Sequence, residues 1–387
     1  MISGPTILER KLITRLKREG PLTFCDFMRA ALYDREHGYY NTPRPKIGPE
    51  GDYYTSSNVH PAFGAVLARA FIDLWGECAA GADGRLTVVE MGAGTGRLAS
   101  DILTAMRDEH PASFDQTSYV IVETSPAMLE RQRDELAGFD GRVEWKRMEE
   151  IERDPLAGIF FSNELVDAMP IHRARFTGRR VEELYVITRP AGRPDEEERL
   201  GLMWGRPSTD RLAGYVERMA VAPREGQIIE VNLDAVAWLE GLSRAMRGGF
   251  LVTIDYGDLA AHLCGADRAA GTLRSFYKHR LVDSPLERVG EQDITASVNF
   301  TALIEYGRDF GFEAVSYERQ TAFLIRMGLL ERVAALYDAG ASVDDLKERL
   351  AVKNLFVPGG VSDNFRVLIQ RPRARGRVGG ERTACNS

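Results

Sequence analysis

The sequence predicts an α/β fold built around a mostly parallel β-sheet. Residues 86–90 form an apolar, β-branched run that ends on an acid, and residues 97–106 continue with apolar positions at helical spacing. A second apolar run, residues 118–123, again ends on an acid and is followed by a helix start with proline in its first turn. Strands and helices that alternate in this way pack as a parallel sheet with helices on its faces.

The turn after the first strand reads Glu90-x-Gly92-x-Gly94-x-Gly96. Glycine lets the backbone turn sharply and approach a ligand closely, because no Cβ stands in the way. A dinucleotide fingerprint would need Gly or Ala where Arg97 stands, and the phosphate loop of nucleoside triphosphatases would need a Gly-Lys-Ser/Thr sequence, which does not follow. The pattern instead resembles the first motif of class I S-adenosylmethionine-dependent methyltransferases. A glycine-rich turn without a ligand is the alternative.

Acids at the ends of the predicted strands indicate how such a cofactor would bind. Glu90 suits a cationic ligand end, such as a sulfonium or an amino group, better than it suits a pyrophosphate. Glu123 lies at the tip of the second strand, where a carboxylate holds a ribose diol through two hydrogen bonds. Residues 142–146 predict a third strand, after which Glu149 or Glu150 is placed to hold an adenine amino group.

The fourth strand, residues 158–162, ends in Asn163, Glu164 and, one turn along, Asp167. Polar groups at the carboxyl end of a parallel strand face the ligand crevice, so these three side chains are the candidates for catalytic or substrate contacts. The alternative is that Asn163 caps a short helix and the carboxylates are solvated.

A fifth strand, residues 249–257, carries Asp255 and Tyr256 at its tip. Downstream, two polar, irregular stretches at 271–279 and 289–300 precede a helix at 300–310. The side chains there that could reach the pocket are His279, Gln292, Asp293 and Thr295. A hydrogen-bond network at the entry of the helix accounts for the last three equally well. Residues 313–320 predict a further strand, and residues 364–370 predict an antiparallel last strand.

The composition is that of an ordinary globular protein. The chain has 387 residues, of which 44% are hydrophobic and 28% are charged, and its net charge of −7 gives no reason to expect binding to nucleic acid or to an anionic membrane. Its 4 cysteines are too few and too scattered for a disulfide framework or a zinc site, so we expect no metal. Because no apolar run of about 18 residues and no signal-peptide core occurs, the cytoplasm is the expected location.

The N-terminal region predicts helices followed by a loop. Residues 6–19 have the pattern of an amphipathic helix, which we interpret as a docking helix although its basic character also suits a transit peptide. Thr23 or Asp26 can cap a second helix through Leu32. The irregular stretch at 35–57 is interpreted as a lid that excludes water and contacts ligand through Tyr39, Tyr40, Tyr53, Tyr54, Thr55 and Ser56. A structured loop that its tyrosines merely anchor is an equally good interpretation.

These patterns predict the following organisation. Residues 1–80 hold the N-terminal helices and the lid, and residues 81–170 together with 229–370 form the cofactor-binding core. Residues 171–228 contain a hairpin pattern, a charged loop and a helix start, and are interpreted as an inserted α+β subdomain for substrate or partner binding. Residues 371–387 carry repeated arginines and predict a disordered basic end.

Several motifs together resemble those of the MidA-like family, which includes the mitochondrial complex I assembly factor that methylates an arginine. The motifs are Glu36-His-Gly-Tyr-Tyr40, Gly51-Asp-Tyr-Tyr-Thr-Ser56, Glu90-Met-Gly-Ala-Gly-Thr-Gly96, Asn163-Glu-Leu-Val-Asp-Ala-Met-Pro170, Ile254-Asp-Tyr-Gly257 and Gly290-Glu-Gln-Asp-Ile-Thr295. The resemblance implies a class I methyltransferase (Rossmann-like) core with a seven-stranded, mostly parallel sheet, and S-adenosyl-L-methionine as cofactor. It also favours the lid interpretation, and it implies a protein substrate such as a complex I subunit.

The methyl acceptor stays open at this stage. Where the family usually has Thr-Ala-His-Val-Asp-Phe, this chain has Ser297 and Asn299, and the usual Met-Gly-Glu/Asp near the last strand is Val361-Ser-Asp363. A protein arginine would be oriented by Glu164 with Asp167 or Asp255. A small oxygen or amine acceptor would need a neutral base such as His279. A cofactor-binding assembly factor with incidental catalysis is the third hypothesis, and the oligomeric state stays open, a homodimer included.

Overall fold

The computed structural model describes residues 4–42, 60–78, 85–178, 180–190, 197–338 and 364–373. Its α-helices are α1 (Ile7–Glu19), α2 (Phe24–Tyr33), α3 (Pro61–Gly76), α4 (Arg97–Glu109), α5 (Pro111–Asp115), α6 (Pro126–Glu135), α7 (Met148–Arg153), α8 (Arg211–Arg218), α9 (Leu233–Ala245), α10 (Ala260–Leu263), α11 (Phe300–Asp309), α12 (Gln320–Arg326) and α13 (Leu329–Asp338). None of these described helices is both long enough and apolar enough to cross a membrane.

The strands belong to three sheets and, like the helices, are numbered along the chain. They are β1 (Leu22–Thr23), β2 (Leu86–Met91), β3 (Thr117–Val122), β4 (Val143–Lys146), β5 (Leu156–Asn163), β6 (His172–Thr177), β7 (Arg180–Arg189), β8 (Arg199–Gly205), β9 (Ile228–Val231), β10 (Met246–Asp258), β11 (Arg274–Tyr277), β12 (Arg280–Val282), β13 (Asp293–Thr295), β14 (Val298–Asn299), β15 (Phe312–Arg319) and β16 (Phe365–Pro372).

The central sheet has the strand order β15-β16-β10-β5-β2-β3-β4, and the short β14 pairs with the end of β10. The pairs among β10, β5, β2, β3 and β4 are parallel, whereas β16 runs antiparallel to both of its neighbours. All seven strands that the sequence predicts for this sheet are present. The α/β prediction with a mostly parallel sheet is therefore confirmed.

The register of the parallel strands places the ends of β2, β5 and β10 side by side. Met91 of β2 is paired with Ser162 of β5, and Ile254 of β10 is paired with Asn163 of β5. Polar residues that follow these positions therefore meet at one edge of the sheet, where the crevice of an open α/β sheet lies.

Both faces of the sheet are covered by helices, and alternate residues of each strand are buried against opposite layers. Val88 and Phe161 belong to the apolar cluster formed with α3 and α4, whereas Val89 and Phe160 belong to the cluster formed with α9 and α11. These strands read as continuous apolar runs because parallel strands are buried on both faces.

A second sheet combines β1, near the N-terminus, with four strands from residues 172–231. Strands β6, β7 and β8 come from the stretch predicted as an insertion, whereas β9 begins at its last residue, Ile228, and continues to Val231. Strand β1 pairs with β7 through Leu22 and Val186. Helix α1 packs here, and its buried Glu9 pairs with Arg199 of β8 at 2.9 Å. The N-terminal helices and residues 171–228 thus share one apolar cluster.

The predicted end of the core at residue 370 lies two residues too early. Strand β16 continues to Pro372, and the guanidinium of Arg371 pairs with Glu313 at 3.2 Å. Arg371 therefore belongs to the sheet and not to a disordered basic end, because it has a cross-strand partner. Residues 374–387 of that predicted tail lie outside the described residues.

We expect Gly249→Ala to destabilise the fold because the neighbouring strand β5 leaves no room for a side chain at this position. Gly249 has a φ of +102°, and a Cβ there would lie 1.9 Å from the carbonyl oxygen of Gly158 on β5. Chemical denaturation should show a loss of about 2–4 kcal/mol in the free energy of unfolding. The control is Gly214→Ala on α8, where a Cβ meets nothing within 4 Å. Equal stability of the two variants would contradict this account of the sheet.

Candidate functional site

A cavity of about 1240 Å³ lies at the carboxyl edge of the central sheet. The predicted site residues that line it are Tyr40, Glu90, Gly92, Gly94, Glu123, Asn163, Glu164, Asp167, Tyr256, Asp293 and Thr295. The predicted contacts Tyr53, Tyr54, Thr55 and Ser56 lie outside the described residues. The cavity thus collects side chains from the ends of β2, β3, β5 and β10 and from the strand β13.

The glycine loop between β2 and α4 depends on three left-handed backbone positions. Gly92, Gly94 and Gly96 have φ values of 71°, 54° and 85°. A Cβ on Gly92 would lie 2.7 Å from Cδ1 of Leu165, so the loop also packs closely against the segment that follows β5. Gly96 does not line the cavity, and it forms the N-cap of α4 instead. Side chains at these positions would be strained, which leaves the backbone of the loop open to a ligand.

Glu90 is a buried carboxylate at the end of β2. Its side chain is 2% exposed, and it accepts a hydrogen bond of 2.7 Å from the hydroxyl of Tyr119. Burial raises the pKa of Glu90 to about 7, although the Tyr119 hydrogen bond opposes the shift. A cationic ligand group in the cavity would stabilise the ionised form.

Glu123, at the end of β3, is held by the turn that follows it. One oxygen accepts the backbone N–H groups of Thr124 at 2.7 Å and Ser125 at 2.8 Å. The other accepts a hydrogen bond of 3.0 Å from the side-chain amide of Gln132. Burial raises the pKa of this carboxyl. These contacts orient Glu123 at the wall of the cavity, as a ribose-binding carboxylate requires.

Gln132 links the two cofactor motifs, and the sequence analysis missed it. Its side-chain amide nitrogen also donates to the carbonyl of Gly94 at 2.8 Å, and its oxygen accepts a hydrogen bond of 3.0 Å from the indole of Trp145. Gln132 is fully buried on α6. A polar residue among positions that face the sheet was the only signal for it in the sequence.

The segment after β5 presents Asn163, Glu164 and Asp167 to the cavity. Glu164 has a left-handed φ of 55°, and its N–H donates to the carbonyl of Ile254 at 3.0 Å. The Asn163 amide donates to the Glu164 carboxylate at 3.3 Å, whereas its buried Oδ1 has no hydrogen-bond partner among the described residues. A strained backbone and an unsatisfied buried acceptor are typical of ligand-binding positions.

Asp255 was predicted as a catalytic carboxylate, and the structure contradicts that prediction. The side chain is fully buried and does not line the cavity. One oxygen accepts the N–H groups of Leu165 at 3.2 Å, Val166 at 2.8 Å and Asp167 at 3.4 Å, and the other accepts the N–H of Tyr256 at 2.8 Å. Both oxygens are occupied by the backbone, so Asp255 positions the segment after β5.

Asp167 is the carboxylate that this arrangement directs to the cavity. Burial raises its pKa well above the ordinary range, and the nearby charges of Asp255, Glu164 and Asp293 add to the shift. A cation bound among these carboxylates would relieve their mutual repulsion. This part of the cavity is therefore suited to a positively charged group.

Aromatic rings lie next to these carboxylates. Tyr33 and Tyr40 are stacked with their ring centroids 5.4 Å apart, and Tyr256 meets the ring of Phe365 edge-on at 6.0 Å. All four rings line the cavity, although the sequence analysis singled out only Tyr40 and Tyr256. Tyr33 and Phe365 lie within regular helix and strand patterns, which gave no sign of their role.

Four other predicted contacts do not line the cavity. Tyr39 is fully buried in the N-terminal apolar cluster, so it anchors the segment and does not cover a ligand. The Glu149 side chain is exposed on α7, and His279 is exposed at the turn between β11 and β12. Gln292 is buried and donates to the carbonyl of Ser284 at 3.0 Å. Each of these predictions was wrong because the side chain points away from the crevice.

The cationic side chains at the cavity are largely neutralised by their own partners. Arg29 of α2 pairs with Asp234 of α9 at 2.8 Å, and Arg244 of α9 pairs with Glu152 of α7 at 3.1 Å. Within the described part of the chain, no group of three or more His, Cys, Asp or Glu side chains is arranged to hold a metal ion.

The lining of the cavity is suited to S-adenosylmethionine. The glycine loop exposes its backbone, Glu123 is oriented as a hydrogen-bond acceptor for a diol, and Glu90 provides a carboxylate for a cationic end. In place of Glu149, the apolar side chain of Met148 lines the cavity next to the end of β4. These residues are suited to a ligand with a ring that packs against an apolar side chain, a diol and a positive charge.

Comparison with curated proteins supports this assignment. The model of a family described as S-adenosyl-L-methionine-dependent methyltransferase matches residues 66–317. The mitochondrial protein arginine methyltransferase NDUFAF7 of Mus musculus is 26% identical to this chain, over 99% of the chain and 88% of the mouse protein. The Homo sapiens protein of the same name is also 26% identical, over 86% of this chain and 76% of the human protein.

Two solved structures of COG1565 superfamily proteins from Burkholderia thailandensis share the fold. One is bound to S-adenosyl-homocysteine, superimposes with a TM-score of 0.82 and is 27% identical, and the alignment covers 96% of this chain and 95% of that one. The other, a native crystal structure, has a TM-score of 0.78 and 26% identity over the same shares of the two chains. The predicted class I methyltransferase fold, the cofactor and the MidA-like resemblance are thereby confirmed. The chain belongs to this family of S-adenosyl-L-methionine-dependent methyltransferases.

Proposed function

We propose that this methyltransferase modifies an arginine side chain of a partner protein. The observation that carries the proposal is the pair Glu164 and Asp167, two carboxylates that line one cavity beside stacked tyrosine rings. Carboxylates bind a guanidinium through paired hydrogen bonds, and aromatic faces attract it. The relatives named protein arginine methyltransferase support the same acceptor, at 26% identity.

On the acceptor side, the chain must orient the guanidinium and accept one of its N–H protons. S-adenosylmethionine, when bound, supplies an electrophilic methyl group on a sulfonium. An arginine guanidinium is protonated at neutral pH, since its pKa lies above about 12. Glu164 and Asp167 would hold the guanidinium with a nitrogen toward the methyl group. As the methyl carbon exchanges its bond to sulfur for a bond to this nitrogen, Glu164 would accept the N–H proton and S-adenosylhomocysteine would remain. Asp255 contributes by fixing the backbone from Leu165 to Asp167, which directly follows Glu164.

On the cofactor side, three groups of the chain divide the binding. Glu123 accepts hydrogen bonds from the ribose, Glu90 attracts the cationic methionine end, and the backbone of the glycine loop packs against the ligand. Asn163 offers its unsatisfied Oδ1 at the boundary between cofactor and acceptor. These roles are proposals that rest on the position of each side chain at the cavity.

Two departures from the family pattern, Ser297 and Asn299, do not line the main cavity, whereas residues 361–363 lie outside the described residues. Ser297 and Asn299 border a second, small cavity of about 20 Å³, and the Asn299 side chain caps α11 by accepting the N–H of Ala302 at 3.2 Å. His279, the neutral base that a small oxygen or amine acceptor would use, is exposed outside the main cavity. Both observations favour arginine over a small-molecule acceptor.

The partner and the cellular setting extend the proposal. We infer that residues 171–228 form a subdomain that binds a partner, because none of their described residues lines the cavity while their sheet extends the N-terminal layer. A complex I subunit, which the sequence resemblance implies, is the proposed class of partner. The cytoplasmic location stays a prediction, and the named relatives are mitochondrial proteins.

We expect Glu164→Gln to lose turnover and keep cofactor affinity, because the amide can neither accept the proton nor balance the guanidinium charge. Purified protein is incubated with methyl-labelled S-adenosylmethionine and an extract of its host, and the label is separated by molecular size and mapped to residues. The variant should transfer label to protein arginine about 100-fold to 10,000-fold more slowly. Glu149→Gln, an exposed carboxylate outside the cavity, is the control.

Two results of that experiment would count against the proposal. Label found only in small molecules would exclude a protein arginine as acceptor. Turnover of Glu164→Gln equal to that of Glu149→Gln would remove Glu164 from the mechanism. An inactive Glu164 variant that still rescues a deletion strain would instead support an assembly factor with incidental catalysis.

We expect Glu123→Ala to weaken the binding of S-adenosylhomocysteine about tenfold to a hundredfold, because hydrogen bonds to a charged group are lost. Isothermal titration calorimetry measures the dissociation constant directly. Glu130→Ala, an exposed carboxylate on the same helix as Gln132, should leave it unchanged. Equal affinities of the two variants would show that Glu123 does not hold the ribose.

We expect the affinity for S-adenosylmethionine to rise with pH through about 7, because the pKa of Glu90 is raised to about 7 and only the ionised form attracts a cation. Below that pH the carboxyl is protonated and binding weakens. Tyr119→Phe removes the hydrogen bond that lowers this pKa, so the midpoint should move to higher pH. Calorimetric titrations at a series of pH values give both midpoints. Coinciding profiles for wild type and variant would assign the titration to another group.

A further inference from the structure

Two stacked tyrosines, Tyr33 and Tyr40, line the cavity and contact both the segment after β5 and the turn after β3. The hydroxyl of Tyr33 donates to the carbonyl of Ala168 at 3.0 Å, in the segment that carries Glu164 and Asp167. Tyr40 lies against Tyr33 with an angle of 30° between the ring planes. The tyrosine pair is therefore hydrogen-bonded to the backbone of the segment that carries the acceptor carboxylates.

Tyr40 also contacts a third carboxylate of the cavity. Its hydroxyl donates to Oδ1 of Asp293 at 3.1 Å, and the backbone N–H of Ile294 donates to the same oxygen at 3.0 Å. Asp293 is only 3% exposed, yet it lines the cavity. Asp167 lines the same cavity, and its backbone carbonyl accepts the N–H of Ala296, three residues after Asp293, at 3.0 Å. Tyr40 thus fixes the orientation of a carboxylate that faces the acceptor.

On the other side, the backbone of Tyr40 reaches the ribose-binding turn. The hydroxyl of Ser125 donates to the carbonyl of Tyr40 at 3.4 Å, and the N–H of Ser125 donates to the Glu123 carboxylate at 2.8 Å. Three hydrogen bonds, which pass through Ser125 and Tyr40, therefore connect Glu123 to Asp293. The residues of this path come from three separate parts of the chain.

We propose that Tyr40 is a positioning residue that couples cofactor binding to the acceptor site, where Asp293 joins Glu164 and Asp167 as a contact for the acceptor cation. A ligand held by Glu123 fixes the turn at Ser125 and thereby Tyr40, which in turn holds Asp293 toward the cavity. The role of Asp293 as an acceptor contact rests on the proposed arginine function, whereas the coupling through Tyr40 does not.

Such coupling has a definite thermodynamic form. If the cofactor stabilises the arrangement that binds the acceptor, the acceptor must strengthen cofactor binding by the same factor. The differential contacts are those of Tyr40, because it is the residue of this path that touches both the ribose turn and Asp293. Removing the hydroxyl of Tyr40 should leave the cofactor-binding and acceptor-binding residues in place. Cofactor binding should then no longer strengthen acceptor binding.

Hydrogen–deuterium exchange on the full chain tests the coupling without any acceptor. Saturating S-adenosylhomocysteine should slow exchange in peptides that cover residues 290–300 of the wild type, and Tyr40→Phe should abolish this protection while peptides around Glu123 stay protected. Tyr185→Phe is the matched control, since its hydroxyl donates to the carbonyl of Arg206 at 2.8 Å outside the cavity. Ser125→Ala interrupts the path from the cofactor side and decides the question if Tyr40→Phe does not fold. Protection that persists in these variants, or is absent from the wild type, overturns the proposal.

Calorimetry with ethylguanidinium as probe tests the acceptor half. Wild-type protein should bind it about fivefold or more tightly when S-adenosylhomocysteine is present, and Tyr40→Phe should bring this ratio to about one. Asp293→Asn should weaken the binding of the probe both with and without S-adenosylhomocysteine. Failure of the wild type to bind ethylguanidinium, with the exchange protection intact, would overturn the arginine function and the role of Asp293 but support the coupling.

Discussion

The arrangement of the reaction site depends on one buried interaction, the carboxylate of Asp255 with the backbone that leaves β5. Four N–H groups at the sheet edge point to this carboxylate. Each would cost about 1–3 kcal/mol if it were buried without a partner. The same contacts allow Glu164 to keep a left-handed φ of 55° and direct Asp167 into the cavity. A residue outside the cavity thereby determines which carboxylates face it.

Under the proposed function, the cavity would bind two ligands that both carry a positive charge. Glu90 and Glu123 would face the cofactor, and Asp167 and Asp293, which line the same cavity, would face the acceptor. Burial raises the pKa of Glu90, Glu123 and Asp167, so the folded protein holds these carboxyls at an electrostatic cost. In the proposed reaction, binding of two cations would compensate that cost, and transfer of the methyl group would remove the positive charge of the sulfonium. Electrostatics would then favour the bound reactants over the spent cofactor.

The sequence predicted the parts of this site that local patterns determine. Glycines after an apolar run predicted the cofactor loop, and the acids Glu90, Glu123 and Glu164 were placed correctly at the cavity because parallel strands end at one edge. The sequence does not show which way a strand-end side chain points, so Asp255 was mistaken for a catalytic group. Gln132 and Tyr33 were missed because their roles arise from helices that meet the site only in three dimensions.

The pairing of β1 with β7 has a consequence for biosynthesis. Leu22 and Val186 are adjacent in the sheet but separated by about 160 residues in the chain. At a synthesis rate of about 5–20 residues per second, the N-terminal strand waits on the order of ten seconds for its partner. During that interval the apolar face of α1 has no sheet to cover it. The nascent chain therefore exposes an apolar helix face that the finished protein buries.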